Sequence, residues 1–124
     1  MIFPDGRKQT GNCGEDRAAE YLLNKGYELI RRNFRTNQGE IDIIVKNGEC
    51  IVFVEVKTLP KGNFELLSHV LDARKQKRIV ETAKRFLAIN RQYSNSYIRF
   101  DVIVIDMPGL PQVYHIENAF AELL

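Results

Sequence analysis

The sequence predicts an α/β domain, with helices flanking a mixed sheet in the order α-β-β-β-α-β and a small β-α appendage at the end. Three observations predict it. Two segments, around Ala18–Leu23 and Ile79–Leu87, carry apolar residues at helical spacing. Between them lie runs rich in Ile and Val. Asn47-Gly48, the strongest short-range hairpin signal, joins two of those runs. At 124 residues the chain is near the usual size of one domain. One unit over residues 1–124 is expected, with 1–10 a loose N-terminal segment.

The first helix is expected from about Asn12 to Lys25, capped by Thr10 or Asn12 and stopped by Gly26. Glu15 precedes Ala18 and Ala19 by three and four residues and shares their apolar face. Glu20 lies about 140° round the helix and points to solvent. Strands follow at Tyr27–Phe34, Glu40–Val45 and Cys50–Thr58, ended by the loop Pro60-Lys61-Gly62-Asn63. A long helix over Asp72–Arg91 carries Ile79, Val80, Ala83, Phe86 and Leu87 on its apolar stripe. Tyr97–Asp106 reads as a buried strand, Gln112–Ile116 as a short one and Asn118–Leu124 as a short helix.

With 18 Lys+Arg against 16 Asp+Glu and 44% hydrophobic residues, the make-up is that of a folded domain, not a tail. A net charge of +2 excludes a protein that coats nucleic acid by global attraction. Apolar runs such as Ile51–Val54 and Val102–Ile105 reach four residues, far short of the roughly 20 that span a bilayer. Met1–Thr10 lacks the apolar region of a secretory signal. A cytoplasmic protein is expected, with Cys13 and Cys50 as buried thiols. These cysteines and the isolated His69 and His115 offer no structural zinc spacing.

The chemistry concentrates around the hairpin. Ile51–Val54 continues into Glu55-Val56-Lys57, whose two charges share a face because side chains alternate along a strand. A two-residue loop at Asn47-Gly48 pairs Lys46 with Glu49, Asp42 with Phe53 and Glu40 with Glu55. Asp42 and Glu55 then become diagonal neighbours roughly 7–8 Å apart. Two such carboxylates suit a hard divalent cation, Mg²⁺ or Mn²⁺. Lys57 can stabilise charge on a phosphoryl group, and Glu15 can join the metal shell or hold Lys57. Metal-assisted phosphodiester hydrolysis is the chemistry such a set supports. A partly buried Glu55–Lys57 ion pair is the plainer alternative.

Cations cluster locally. Asp72–Arg91 holds seven against Asp72 and Glu81, a balance of +5 that leaves −3 for the remainder. Lys75, Arg78 and Arg85 form one stripe, and Arg31, Arg32 and Arg35 a second cluster. A charged run on a helix is usually its solvated face, but beside a metal-binding candidate both clusters read as surfaces for a phosphate backbone. Tyr93 and Tyr97 stack on bases or pack in the fold. No base-reading motif is present.

Gly11-x-x-x-Glu15, Gly39-Glu40-Ile41-Asp42, Val54-Glu55-Val56-Lys57 and Arg99-Phe100-Asp101 resemble the YraN-type family of small bacterial proteins, grouped with the PD-(D/E)XK nuclease superfamily. Asn33-Phe34-Arg35, Lys75 and Ile116–Phe120 also look like the family pattern, so the resemblance runs from about Gly11 to Phe120. The Glu–Asp–Glu-x-Lys spacing is similar to that of archaeal Holliday-junction resolvases. This resemblance implies a restriction-endonuclease-like core and a Mg²⁺- or Mn²⁺-dependent endonuclease. Asp42, Glu55 and the Val56 carbonyl would hold the metal, Lys57 would be the motif lysine and Glu15 the helix glutamate. It also implies DNA as partner, branched or otherwise structured. Leu59 stands where the family commonly has Arg, a lost phosphate contact that Lys61 can replace. A non-catalytic nucleic-acid-binding module and a protein–protein adaptor remain open, as does a homodimer.

Overall fold

The computed structural model describes residues 13–121. Helix α1 (Cys13–Asn24) leads into three antiparallel strands, β1 (Glu28–Thr36), β2 (Gly39–Asn47) and β3 (Cys50–Thr58). Helices α2 (Phe64–Val70) and α3 (Ala73–Ile89) follow, then a 3₁₀ turn at Arg91–Tyr93 and strands β4 (Tyr97–Ile105) and β5 (Val113–Phe120). The sheet order is β1-β2-β3-β4-β5, with only β3 and β4 parallel. Parallel neighbours need a crossover, and α2 with α3 supplies it. The expected mixed sheet flanked by helices is what forms. The loose segment 1–10 and the caps Thr10 and Asn12 lie outside the described residues.

Local chemistry sets the helix ends. The Asp72 carboxylate accepts the Lys75 N–H at 3.0 Å and starts α3, which buries Ile79, Val80, Ala83 and Phe86. Gly26, at φ 91°, ends α1 in a conformation that costs other residues a steric penalty. Helix α2 leaves little trace in the sequence, because seven residues burying only Leu67 show little period. Its Asn63 cap accepts the Leu66 N–H at 2.9 Å.

The sheet is covered on both faces. Under α3 and α2 lie Phe34, Ile44, Phe53, Phe100 and Val102 with Phe86 at their centre. Under α1 lie Ile43, Val45, Val52, Val54, Ile103 and Ile105. Among the described residues no helix is long and apolar enough to cross a membrane.

Two expectations need correction. Asn118 begins no helix: β5 runs on to Phe120, whose ring stacks on Phe100 at 5.2 Å, and residues 122–124 lie outside the description. Asn118 adopts φ 52° and donates its N–H to Asp101 at 2.9 Å, which binds this segment to β4. The hairpin register also differs by two. Asn47 pairs with Cys50, and the turn residues are Gly48-Glu49. Of these two, only Gly48 has positive φ, which suits a turn needing it at the first central position alone.

The α1 face of β4 carries a buried charge. Asp101, fully inaccessible, receives two bonds of 2.8 Å from Arg99 and one of 2.7 Å shared with His115. Arg99 also donates to the Tyr27 hydroxyl at 2.8 Å, which in turn reaches Glu117 at 3.2 Å. Burial pushes the Asp101 carboxyl up, but His115, Arg99 and the Asn118 N–H together hold it below the usual range. The depressed group stabilises the fold above about pH 4, and that contribution is lost as pH falls through its lower folded value. Asp101→Ala, which strands these donors, is expected to remove about 3–5 kcal/mol of unfolding free energy at neutral pH in urea titrations. The difference from wild type should shrink in strong acid. An unchanged midpoint would show that the cluster contributes nothing.

Candidate functional site

Strands β2 and β3 pair from their turn as far as Ile43↔Val54, and the next step brings Asp42 across from Glu55. A shift of two preserves the face of every side chain, so the predicted partners still meet, directly opposite and not on a diagonal. At this point Asp42 Oδ2 accepts the Val56 N–H at 2.8 Å. In extended backbone the N–H and C=O of one residue leave on the same edge, so the Val56 carbonyl faces the same gap. Asp42, Glu55, Glu40 and Lys57 wall a pocket of about 200 Å³, roofed by Lys75, Arg78 and Ile79 of α3.

Two acidic groups there are held against ionisation. Burial, then the hydrogen bond and negative charge of Asp42, push Glu55 up to about 9, against the pull of Lys57 and Lys75. Burial and the charge of Asp42 likewise raise Glu15 to about 7. Glu15 stands behind Asp42. Its other charged neighbours are Arg32, Glu40 and Asp16, whereas Lys57 acts on Glu55. Glu20 is exposed, as its helical phase predicts.

A break in the pleat builds this arrangement. Ile43 lies under α1 but Ile41 lies under α3, although strict alternation would put both on one face. On β1, Arg32 reaches Asp16 of α1 at 2.7 Å, whereas Phe34 meets Phe86 of α3. The breaks fall at Asp42 and at Asn33, between paired rungs Arg32↔Ile43 and Phe34↔Ile41. Asn33 has φ 53°, a left-handed conformation that Asn tolerates better than most residues. With its amide nitrogen turned to the acids, Asn33 donates to Glu15 at 3.0 Å and Glu40 at 3.2 Å. Glycines allow the close approaches on either side. A Cβ at Gly14 would overlap Thr58 Oγ1, and one at Gly39 would lie 3.1 Å from Thr82 Oγ1.

The basic residues predicted for a phosphate backbone separate into two groups. Lys75 and Arg78 border the pocket. Arg32 is turned inward to Asp16, and Arg35 pairs with Glu40 at 3.3 Å. Arg31 lies over the Phe34 ring. Lys61 is exposed in the loop before α2, and Arg85 is exposed about 10 Å along α3 from Arg78. Leu59 packs against the core. Tyr93 stacks on Phe86, and the exposed Tyr97 pairs with Cys50, about 20 Å along β3 from Lys57. Both cysteines are half-buried, not fully so.

Asn33 was missed as a site residue because its role comes from backbone conformation. Glu40, two residues before Asp42 in the same strand, carried a readable signal. Among the described residues no three His, Cys, Asp or Glu side chains converge as a closed metal cage. Two adjacent carboxylates with a backbone carbonyl fit a hard cation that keeps several waters, as Mg²⁺ does.

Fold and site together define a mixed α/β protein with a lysine-flanked carboxylate pair where two strands part. The chain belongs to the uncharacterised protein family UPF0102, whose model matches residues 14–105. It is 45% identical to a UPF0102 protein of Treponema denticola, over 90% of this chain and 95% of the relative. A UPF0102 protein of Treponema pallidum is 44% identical, over 98% of this chain and all of the relative. One from Geobacter metallireducens is 43% identical, over 91% and 93%.

The raised carboxyls make a prediction for metal-free protein. Each keeps its proton in the folded state above the pH at which the unfolded chain loses it. Their stabilisation is complete below about pH 4.5 and is lost as pH rises through about 7 and then about 9. The melting temperature in chelator should therefore fall between about pH 5 and about pH 9, and Glu55→Gln should flatten the upper part of that fall. A flat wild-type profile would contradict the proximity of these carboxylates.

Proposed function

We propose that the protein is a Mg²⁺- or Mn²⁺-dependent endonuclease that hydrolyses DNA phosphodiester bonds. The observation that carries this reading is the Asp42–Glu55 carboxylate pair, set opposite each other where β2 and β3 part, with Lys57 on the same wall. Asp42, Glu55 and the Val56 carbonyl would hold the ion. When bound, it would polarise the phosphoryl group and make water a nucleophile near neutral pH.

The chain's own residues have separable tasks. The Val56 N–H fixes one oxygen of Asp42, leaving the other for the ion. Lys57 offers an ammonium to a non-bridging phosphate oxygen, where negative charge grows during attack. Asn33 ties Glu15 of α1 to Glu40 of β2, two residues from Asp42. Lys75 and Arg78 place positive charge at the pocket mouth, where a polyanion approaches. The family resemblance favours branched or otherwise structured DNA.

The test is cleavage of branched and linear DNA by purified protein with Mn²⁺ or Mg²⁺. Asp42→Asn, Glu55→Gln and Lys57→Ala should each lower the rate by about two orders of magnitude or more. Mn²⁺ should raise the wild-type melting temperature by mass action. Asp42→Asn should melt higher than wild type without metal, because an Asn oxygen still accepts from Val56 while the negative charge that helps to raise Glu55 is gone. Equal cleavage by all variants would assign the activity to a contaminant. Salt-dependent DNA binding without turnover on any substrate would replace the enzyme with a binding module.

A further inference from the structure

Beyond Gly39 and Arg78 lies a second, larger hollow of about 590 Å³, which these two residues share with the carboxylate pocket. One wall is the β1–β2 turn, Thr36 to Gln38. The other is the α3 face carrying Arg74, Lys77 and Arg78. Positions i, i+3 and i+4 project together on a helix, so the three cations crowd one surface and repel one another. None forms an ion pair with another described residue, in contrast to Arg32 and Arg35, which have Asp16 and Glu40. The one acid on that wall, Glu81, has Lys84 at 3.7 Å. Across the hollow, the Gln38 N–H is bonded to Thr36 Oγ1, and the side chains of Asn37 and Gln38 are exposed.

The two compartments have opposite chemistry. The first is acidic at its base and suits a cation with a phosphate drawn to it. The second holds uncompensated positive charge and amide groups, and suits an anion alone. A mononucleotide filling the first would gain nothing from the second. A polynucleotide passing over Gly39 presents a phosphate to each.

We propose that the hollow between the β1–β2 turn and α3 holds a backbone phosphate of DNA flanking the one in the carboxylate pocket, with Arg74 and Lys77 as its principal contacts. The substrate is then an extended strand, engaged inside the chain and not at a terminal phosphate ester. This rests on the nuclease reading above and adds residues and direction to it.

The test is fluorescence anisotropy of a labelled DNA duplex in chelator, where no cleavage occurs, over a range of salt concentrations. The variants are Arg74→Gln/Lys77→Gln and a control with equal charge loss far from the site, Lys46→Gln/Arg91→Gln. Arg74, Lys77 and Arg91 are exposed and Lys46 is half-buried, and melting curves are to check the folding of each variant. The Arg74/Lys77 variant is expected to bind more weakly, with the slope of log affinity against log salt reduced by about 2, while the control keeps the wild-type slope. A wild-type slope in the Arg74/Lys77 variant, or an equal reduction in the control, overturns the flanking-phosphate site and leaves the proposed nuclease standing. Absence of wild-type DNA binding at low salt overturns both. The Mn²⁺-dependent rise in melting temperature should survive in the Arg74/Lys77 variant, and its loss there would show that these residues act on the metal pocket instead.

Discussion

Where two strands part, the backbone groups they release need other partners or water. Here β2 and β3 separate after Ile43↔Val54, and a side chain takes over from the ladder: the Asp42 carboxylate accepts the Val56 N–H. That bond fixes one anion at the fork and sets it against Glu55. It also keeps the Val56 carbonyl toward the same gap. Without it the fork would be a frayed hairpin end. With it the fork is a rigid polar notch cut into an apolar sheet.

The two faces of β3 and β4 treat charge in opposite ways. On the α1 side, Asp101 is completely buried and completely answered, by Arg99, His115 and a backbone N–H. On the α3 side, burial and the hydrogen-bonded, negatively charged Asp42 push Glu55 up, and neither Lys57 nor Lys75 offsets them. A satisfied buried cluster stiffens a fold, whereas an unsatisfied one holds energy that a ligand can release. The net charge of +2 conceals both. It is a sum over a cationic α3, an acidic notch and a neutralised interior pair.

Much of this was legible before the structure. Strand β3 carries its expected bounds, Glu55 and Lys57 are in phase, and Glu15 is on the packing side of α1 because period alone decides such questions. Asp42 meets Glu55 even though the turn falls one residue later than Asn47-Gly48 predicts. Both strands shift with the turn, so the register moves by two and parity survives. Other features left no trace in pattern. The left-handed Asn33 and the change of face at Ile41 are backbone events, and alternation predicts the reverse. The fates of Arg31, Arg32 and Arg35 depended on which acid or ring each would find across space. Asn118 looked helical because its neighbours are helix formers, but its N–H is held by Asp101 from a distant strand.

The placement of Asp101 also bears on how the chain finds its register. In the parallel pair β3–β4, Val54 faces Asp101 and Glu55 faces Val102, so adjacent rungs carry one acid each, on opposite faces. If β4 slid by a single residue, Asp101 would turn toward α3 and leave His115 and Tyr27 behind. Phe100 and Val102 would turn away from Phe86 at the same moment. A misaligned sheet would thus lose its ion cluster and its aromatic core together. The buried acid acts as a proofreading mark, admitting the one alignment in which the carboxylate fork can assemble.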